Sequence, residues 1–288
     1  MNSRLISLLF WIMHWLPFPL LRIKGAVLGE TLCLLMKRRR NIGLRNLQIC
    51  FPDWTEVERR RVLHRHFREL ASALLGYSIL LYGSPQRIAR LVKTEGIEHY
   101  LAAKAQFPVI VLGPHFLGID YGGIRHTIDY GGASMYSAQR IGAFDQLLLR
   151  ARTRFNNPLL IKRSDGIRAC VRALKEGRCF YYLPDQDLGP RESIFTPFFN
   201  IPTATIPALP RLAQLAHAKV IPMVTEMTPT GFKVRYYPAW DDFPSGDVLA
   251  DTARMNSFIE DRVRELPSQY YWLHRRFKTR PEGTPPLY

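Results

Sequence analysis

Hydrophobic positions along the chain fall into three regimes. The first is an uncharged run of seventeen residues, Leu5 to Leu21 (LISLLFWIMHWLPFPLL). It is at the short end for a spanning helix, which needs about 20 apolar residues. Pro17 and Pro19 would break its last turns, and Trp11, Trp15 and Phe18 suit an interfacial aromatic belt. A secretory signal is disfavoured, because no small-x-small cleavage site follows; Arg22, Lys24 and Lys37 to Arg40 follow instead. The expectation is an N-terminal hydrophobic membrane helix acting as an anchor over residues 1–22. The basic flank would hold the rest of the chain at the cytoplasmic face. Spanning and lying in the interface both remain open, and a buried core helix is the competing reading.

The second regime, residues 23–105, reads as helical, basic and membrane-proximal. Thr55-x-x-Glu58 is a capping-box signature, and Leu63, Phe67, Leu70, Leu74 and Leu81 recur at helical spacing on one face. Arg59, Arg60 and Arg61 at the start of that helix read as solvated.

The third regime, residues 106–288, alternates strand and helix. PVIVLG (108–113) and CFYYL (179–183) read as buried strands. Helices are expected over about 166–176, 207–216 and 248–266, with a hairpin of strands 220–227 and 232–239 around Thr228-Pro229-Thr230-Gly231. The fold class expected is α/β, a mixed sheet covered by helices, with an active site at the carboxyl ends of the strands.

Charge changes the picture. Among 288 residues, 40 Lys and Arg face 24 Asp and Glu, a net of +16. Residues 22–45 and 150–191 each carry +6 and residues 267–281 carry +4, so the remainder of the chain is neutral. An anionic partner is therefore expected. The apolar content of 47% excludes disorder. Four cysteines (Cys33, Cys50, Cys170, Cys179) without CxxC or Cys/His spacing argue against a disulfide scaffold or a metal site. No nucleic-acid-binding motif is present.

Candidate chemistry lies after two strands. Gly113-Pro114-His115-Phe116-Leu117-Gly118-Ile119-Asp120 leaves the first. Five residues turn an ideal helix by about 500°, so His115 and Asp120 would not share a helical face. They meet only if His115 lies in the turn and Asp120 in the first helical turns. Asp120 could then hold the Nδ1 proton and leave Nε2 as a general base. A histidine hydrogen-bonded in a loop is the plainer alternative. Pro184-Asp185-Gln186-Asp187-Leu188-Gly189-Pro190-Arg191 follows the second strand. It reads either as a turn made of turn-formers or as a polar rim that makes Asp185, Asp187 and Arg191 substrate-binding candidates. Arg150, Arg152 and Arg154 lie between the motifs, and arginine suits an oxyanion or a bound phosphate.

These motifs, with the tail Trp272-Leu273-His274-Arg275-Arg276-Phe277-Lys278-Thr279-Arg280-Pro281-Glu282-Gly283, resemble the late lipid A acyltransferases, the lauroyl/myristoyl family of Gram-negative bacteria, nearly end to end. The resemblance implies a glycerolipid acyltransferase-like fold and a protein of the inner membrane facing the cytoplasm. It implies acyl transfer from acyl carrier protein, through its phosphopantetheine arm, to a hydroxyl of a 3-hydroxyacyl chain on a Kdo-bearing lipid A precursor. Neither metal nor further cofactor is implied. His115 would be the base, Asp120 its orienting carboxylate where many members have Glu, Arg152 the active-site arginine and Asp185 a further acid. The expected partners are acyl carrier protein, the lipid A precursor and anionic membrane lipid, with no nucleic acid. A glycerol-phosphate or lysophosphatidic acid acyltransferase, which uses a similar His-x4-Asp pair, is the runner-up. A basic membrane-attached adaptor is a more distant one. Acyl chain length and the hydroxyl acylated are not legible.

Overall fold

The structure, a computed structural model, describes residues 3–136 and 142–288. Its apolar N-terminus is two helices. Helix α1 (Ser3–Met13) ends ahead of Pro17, and α2 (Phe18–Leu35) begins after it with Pro19 in the first turn. Proline has no amide hydrogen for the preceding turn, but its fixed φ suits the start of a helix. The single membrane helix expected over residues 5–21 is therefore not what forms. Among the described residues, no helix is long and apolar enough to cross a membrane. Leu8, Trp11, Ile12, Trp15, Ile23 and Val27 of this region are nevertheless exposed.

Helix α3 (Lys37–Cys50) leads to α4 (Glu56–Tyr82). The capping box forms as its spacing predicts: Thr55 Oγ1 accepts from the Glu58 amide at 3.3 Å, and the Glu58 carboxylate accepts from the Thr55 amide at 2.7 Å. Helix α2 lies along α4 at close range because of two glycines one turn apart. A Cβ on Gly25 would stand 2.5 Å from Ser72 Cα, and one on Gly29 would stand 2.4 Å from the Phe67 carbonyl oxygen.

Then follow α5 (Pro85–Leu91), β1 (Val92–Glu95), α6 (Ile97–Lys104), β2 (Val109–Leu112), α7 (Ile119–Tyr130), β3 (Ala133–Tyr136), α8 (Gly142–Arg152), β4 (Leu159–Lys162), α9 (Gly166–Lys175) and β5 (Phe180–Tyr182). The chain closes with the hairpin β6 (Ile194–Phe198) and β7 (Ile201–Thr205), then α10 (Ala208–Ala216), β8 (Lys219–Met227), β9 (Phe232–Tyr236) and α11 (Val248–Glu265). Among the described residues the main sheet has seven strands in the order β1-β9-β8-β2-β5-β3-β4. All neighbours are parallel except β8 and β9, whose hairpin makes the sheet mixed, as expected. The hairpin is not at the edge, because β1 adds outside β9.

Strand β2 is central and reads Val-Ile-Val-Leu because both faces are covered, and all four residues are 0% exposed. Ile110 and Leu112 pack with Cys170, Leu174, Leu212 and Met255, on the face of α9, α10 and α11. Val109 and Val111 pack with Phe18, Tyr121 and Ile124 on the face of α2 and α7. Beyond α11 the chain has no helix or strand, yet it is firmly held. Trp272 is 1% exposed, Asn46 Nδ2 donates to the Trp272 and His274 carbonyls at 2.7 and 2.8 Å, and His66 Nδ1 bonds the Ser268 carbonyl at 2.9 Å.

The glycine contacts give a test of the α2–α4 seam. Replacing Gly29 by leucine overpacks it against backbone, at a cost of about 1–3 kcal/mol. Thermal unfolding should fall by several degrees for Gly29→Leu and barely move for Thr31→Leu, which faces solvent.

Candidate active site

Strands β2 and β5 are adjacent and parallel, so the segments leaving their carboxyl ends lie side by side. The Gly113 amide donates to the Tyr182 carbonyl at 2.8 Å and continues the ladder one residue past β2. A side chain there would strike the Tyr181 ring, 2.4 Å from a built Cβ. Pro114 then turns the chain, and the His115 amide donates to both Asp185 carboxylate oxygens at 3.1 and 3.0 Å. The His115 ring bonds the same carboxylate through Nδ1 at 2.7 Å. From the other side the C-terminal segment straps the turn: Tyr271 N–H to the His115 carbonyl at 3.0 Å, and Leu117 N–H to the Gln269 carbonyl at 2.8 Å.

The Asp185 side chain is 0% exposed and that of His115 is 23% exposed. Burial pushes the Asp185 carboxyl upward, but the His115 charge and hydrogen bonds, with Arg276 beyond, hold it below the usual carboxylate range. An ionised Asp185 accepts, so Nδ1 carries the proton and Nε2 carries the lone pair. Arg276 is itself buried, donating to the Ala204 carbonyl at 2.7 Å and to Thr205 Oγ1 at 2.9 Å.

Asp120 stands in the first turn of α7 but does not orient His115. Its Oδ1 accepts both Nε and Nη2 of Arg152, each at 2.7 Å, and its Oδ2 accepts from the Tyr77 hydroxyl of α4. The expectation that Asp120 holds Nδ1 is thus replaced by Asp185. The reason is geometric, because the turn sends the ring toward the β5 loop and α7 sends the carboxylate toward α4 and α8. Burial raises the Asp120 carboxyl, but the Arg152 charge, its hydrogen bonds and the Tyr77 hydroxyl leave it lowered. Burial and the Asp120 charge push Tyr77 well up, so it stays a donor.

The three arginines separate. Arg152, with its side chain 32% exposed, pairs with Asp120. Arg154 caps the end of α4 through the Leu80 and Gly83 carbonyls. Arg150 lies 5.1 Å over the Tyr82 ring. Asp187 is buried and fully bonded by the chain: Oδ1 accepts from Gly189 N–H at 2.9 Å and Thr279 Oγ1 at 2.8 Å, and Oδ2 from Thr279 N–H at 2.6 Å. It anchors the tail and leaves no open oxygen for substrate, contrary to its expected role. Arg191 is exposed and makes no ion pair among the described residues. Beside Asp120 and Arg152, Ile124, Met135, Pro158 and Leu160 line a cleft of about 590 Å³, space open to solvent included.

Sequence reasoning missed Tyr77, Arg276 and the Asp185 contact. Tyr77 had a signal: the step of seven from Leu74 to Leu81 straddles it, so it completes the buried face of α4.

A family described as bacterial lipid A biosynthesis acyltransferase matches residues 4–279 of the chain. The lipid A biosynthesis lauroyltransferase of Escherichia coli (strain K12) is 33% identical over 282 residues, covering 96% of this chain and 92% of that protein. The lipid A biosynthesis palmitoleoyltransferase of the same organism is 31% identical over 282 residues, covering 96% and 91%. Its lipid A biosynthesis myristoyltransferase is 31% identical over 262 residues, covering 90% and 81%.

His274 of the tail and His66 of α4, which holds the tail at Ser268, make the fold acid-sensitive. Burial pushes His66 down to about 4, and it does the same to His274 with help from Arg276. His274 Nε2 accepts the Asp187 amide at 2.9 Å, and His66 Nε2 is buried without a partner, so a proton on either ring disrupts its site. Folded pKa values below the ordinary 6.5 mean that the unfolded chain takes the protons first. Stability is full above pH 6.5 and is lost as the pH falls toward 4, of order 3 kcal/mol for His66. The urea midpoint should drop across that window, and drop less in His66→Gln; a midpoint equally pH-dependent in both removes His66 as the cause.

Proposed function

The chain belongs to the bacterial lipid A biosynthesis acyltransferases, and from that premise we propose a general-base mechanism with His115 as the base. It is an acyltransferase of late lipid A acylation. The observation that carries the mechanism is the partly exposed His115 ring fixed through Nδ1–H to buried, ionised Asp185 at 2.7 Å.

On this reading the donor is a fatty acyl thioester on the phosphopantetheine arm of acyl carrier protein. The acceptor is the hydroxyl of a 3-hydroxyacyl chain on a Kdo-bearing lipid A precursor. His115 Nε2 takes the hydroxyl proton as its oxygen attacks the thioester carbonyl. The tetrahedral oxyanion collapses, the carbon–sulfur bond breaks, and the thiolate takes the proton back from the imidazolium. The products are the ester and the free carrier thiol. Asp185 fixes the tautomer and offsets the imidazolium charge, as an orienting carboxylate must. Asp120 and Tyr77 hold Arg152, whose permanent charge meets the developing oxyanion or an anionic group of the acceptor. The apolar wall of the neighbouring cleft receives acyl chain. The relatives reported above are named for lipid A and not for a glycerol-phosphate acceptor, which supports the first reading over the second.

Placement at the membrane belongs to the same proposal. Helices α1 and α2 lie in the interface on the cytoplasmic side of the inner membrane, with Trp11, Trp15, Ile23 and Val27 buried in anionic lipid and Arg22 and Lys24 beside its phosphates.

Acyl transfer from carrier-bound donor to a lipid A precursor should fall about a thousandfold or more, to a measurable residue, in His115→Ala with its fold intact, and a His115→Ala enzyme of unreduced activity overturns the mechanism. Asp185→Asn should lower kcat about a hundredfold or more. Because Asp185 acts through His115, adding Asp185→Asn to His115→Ala should remove nothing further, whereas adding Asp120→Asn should. The reverse pattern would make Asp120 the orienting carboxylate. Separately, Trp11→Glu with Trp15→Glu should weaken sedimentation with anionic vesicles while leaving the far-UV spectrum unchanged; unaltered sedimentation removes α1 from the interface.

A further inference from the structure

Helix α9 has an inner face accounted for by packing and an outer face that packing does not explain. Cys170, Ala173 and Leu174 are buried against β3, β4, β5 and α10. Arg168, Arg172 and Lys175 are exposed. At 100° per residue these three fall within an arc of about 60°, a single stripe along the helix. None makes an ion pair among the described residues, where most of the ion-paired arginines of α4, α7 and α11 have a carboxylate one turn away on their own helix.

Like charges at i, i+3 and i, i+4 destabilise a helix. The helix dipole favours Arg172 and Lys175 in the last turn but opposes Arg168 in the first, which holds no acidic residue inside the N-cap Asp165. The stripe therefore works against its own helix at one end, and neither Asp165 at the N-cap nor Glu176 at the C-cap forms an ion pair with it among the described residues. Its position is informative as well. Strands β2, β5, β3 and β4 run parallel, so the end of β4, with exposed Lys162 and then Arg163, lies at the edge of the sheet that carries His115 and Asp185. The stripe on α9 starts from that edge.

We propose that the outer face of α9 is the docking surface for the acidic carrier protein that delivers the acyl thioester, placing its prosthetic arm at the site edge; this rests on the donor assigned above. The complementarity is one of charge. No large apolar side chain of α9 is exposed, unlike α1 and α2, so a bilayer would gain little there. Helix α9 also covers the face of the sheet opposite that of α7, against which the start of α2 packs. A soluble acidic partner fits that position better than the lipid surface that α1 and α2 engage.

The test is the triple variant Arg168→Glu, Arg172→Glu, Lys175→Glu in the full-length enzyme, assayed at increasing salt with acyl carrier protein as donor. The KM for the carrier should rise about tenfold or more at low salt with kcat and Tm unchanged, and kcat/KM should lose most of its salt dependence. An unchanged KM overturns the proposal. So does a fall confined to kcat, or weakened binding to anionic vesicles with carrier kinetics intact, which would make the stripe a membrane contact. If the unaltered enzyme accepts no carrier-bound donor at all, the donor assignment itself fails and the docking surface with it.

Discussion

A carboxylate removed from water is tolerated only where hydrogen bonds or opposite charge replace its solvation. At one end of this sheet Asp185 and Asp187, with side chains 0% exposed, meet that condition, and Asp120, 18% exposed beside the cleft, meets it in part, each with groups from different parts of the chain. Asp185 collects the His115 backbone and ring, Asp120 collects Arg152 and Tyr77, and Asp187 collects Gly189 and Thr279. The β2 turn, the end of α8, the middle of α4 and the C-terminal tail all converge there because each supplies donors that a buried anion needs. The assembly is a set of mutual obligations. Remove one partner and a buried charge is left uncompensated, which is far more damaging than the loss of a surface pair.

Several arginines of the basic patches are held inside the fold. Arg39 and Arg45 of the 22–45 stretch donate to tail carbonyls of Leu273 and Leu287, and Arg40 to Cys33. Arg276 is buried against β7, and Arg280 reaches the Pro202 carbonyl. Much of the 267–281 charge, and part of the first patch, therefore ties the tail to the body of the protein. Arg22, Lys24, Arg168, Arg172 and Lys175 make no ion pair among the described residues. A net charge of +16 locates partners only after the arginines that serve as structural hydrogen-bond donors have been set aside.

What the sequence disclosed was local. The capping box before α4, the four-residue apolar core of β2, and the turn between β8 and β9 are each complete within a dozen residues, and each forms where its pattern places it. The proline pair was legible as a break, but that α2 restarts immediately depends on Gly25 and Gly29 fitting against α4. Strand β1 (Val-Lys-Thr-Glu) has no apolar pattern, because its pairing with β9 and not its burial makes it a strand. The Asp185–His115 contact spans seventy residues of chain. It exists because β2 and β5 are neighbours in the sheet, a fact of topology that no spacing encodes.

Pro114 ends the strand and Gly118 opens the helix, so His115 belongs to a turn and Asp120 to the first helical turn, where the dipole favours an anion. The two side chains leave the backbone toward different neighbours, one to the loop after β5 and one to α4 and α8. Short spacing here does not produce a dyad. It joins two halves of a site: an imidazole held at Nδ1 by Asp185, and a guanidinium held by Asp120, which Tyr77 holds in turn. A substitution at Asp120 then acts first on Arg152. A longer acid at this position would have to hold the same guanidinium from further out along the side chain, and would meet His115 through charge alone and not through a hydrogen bond.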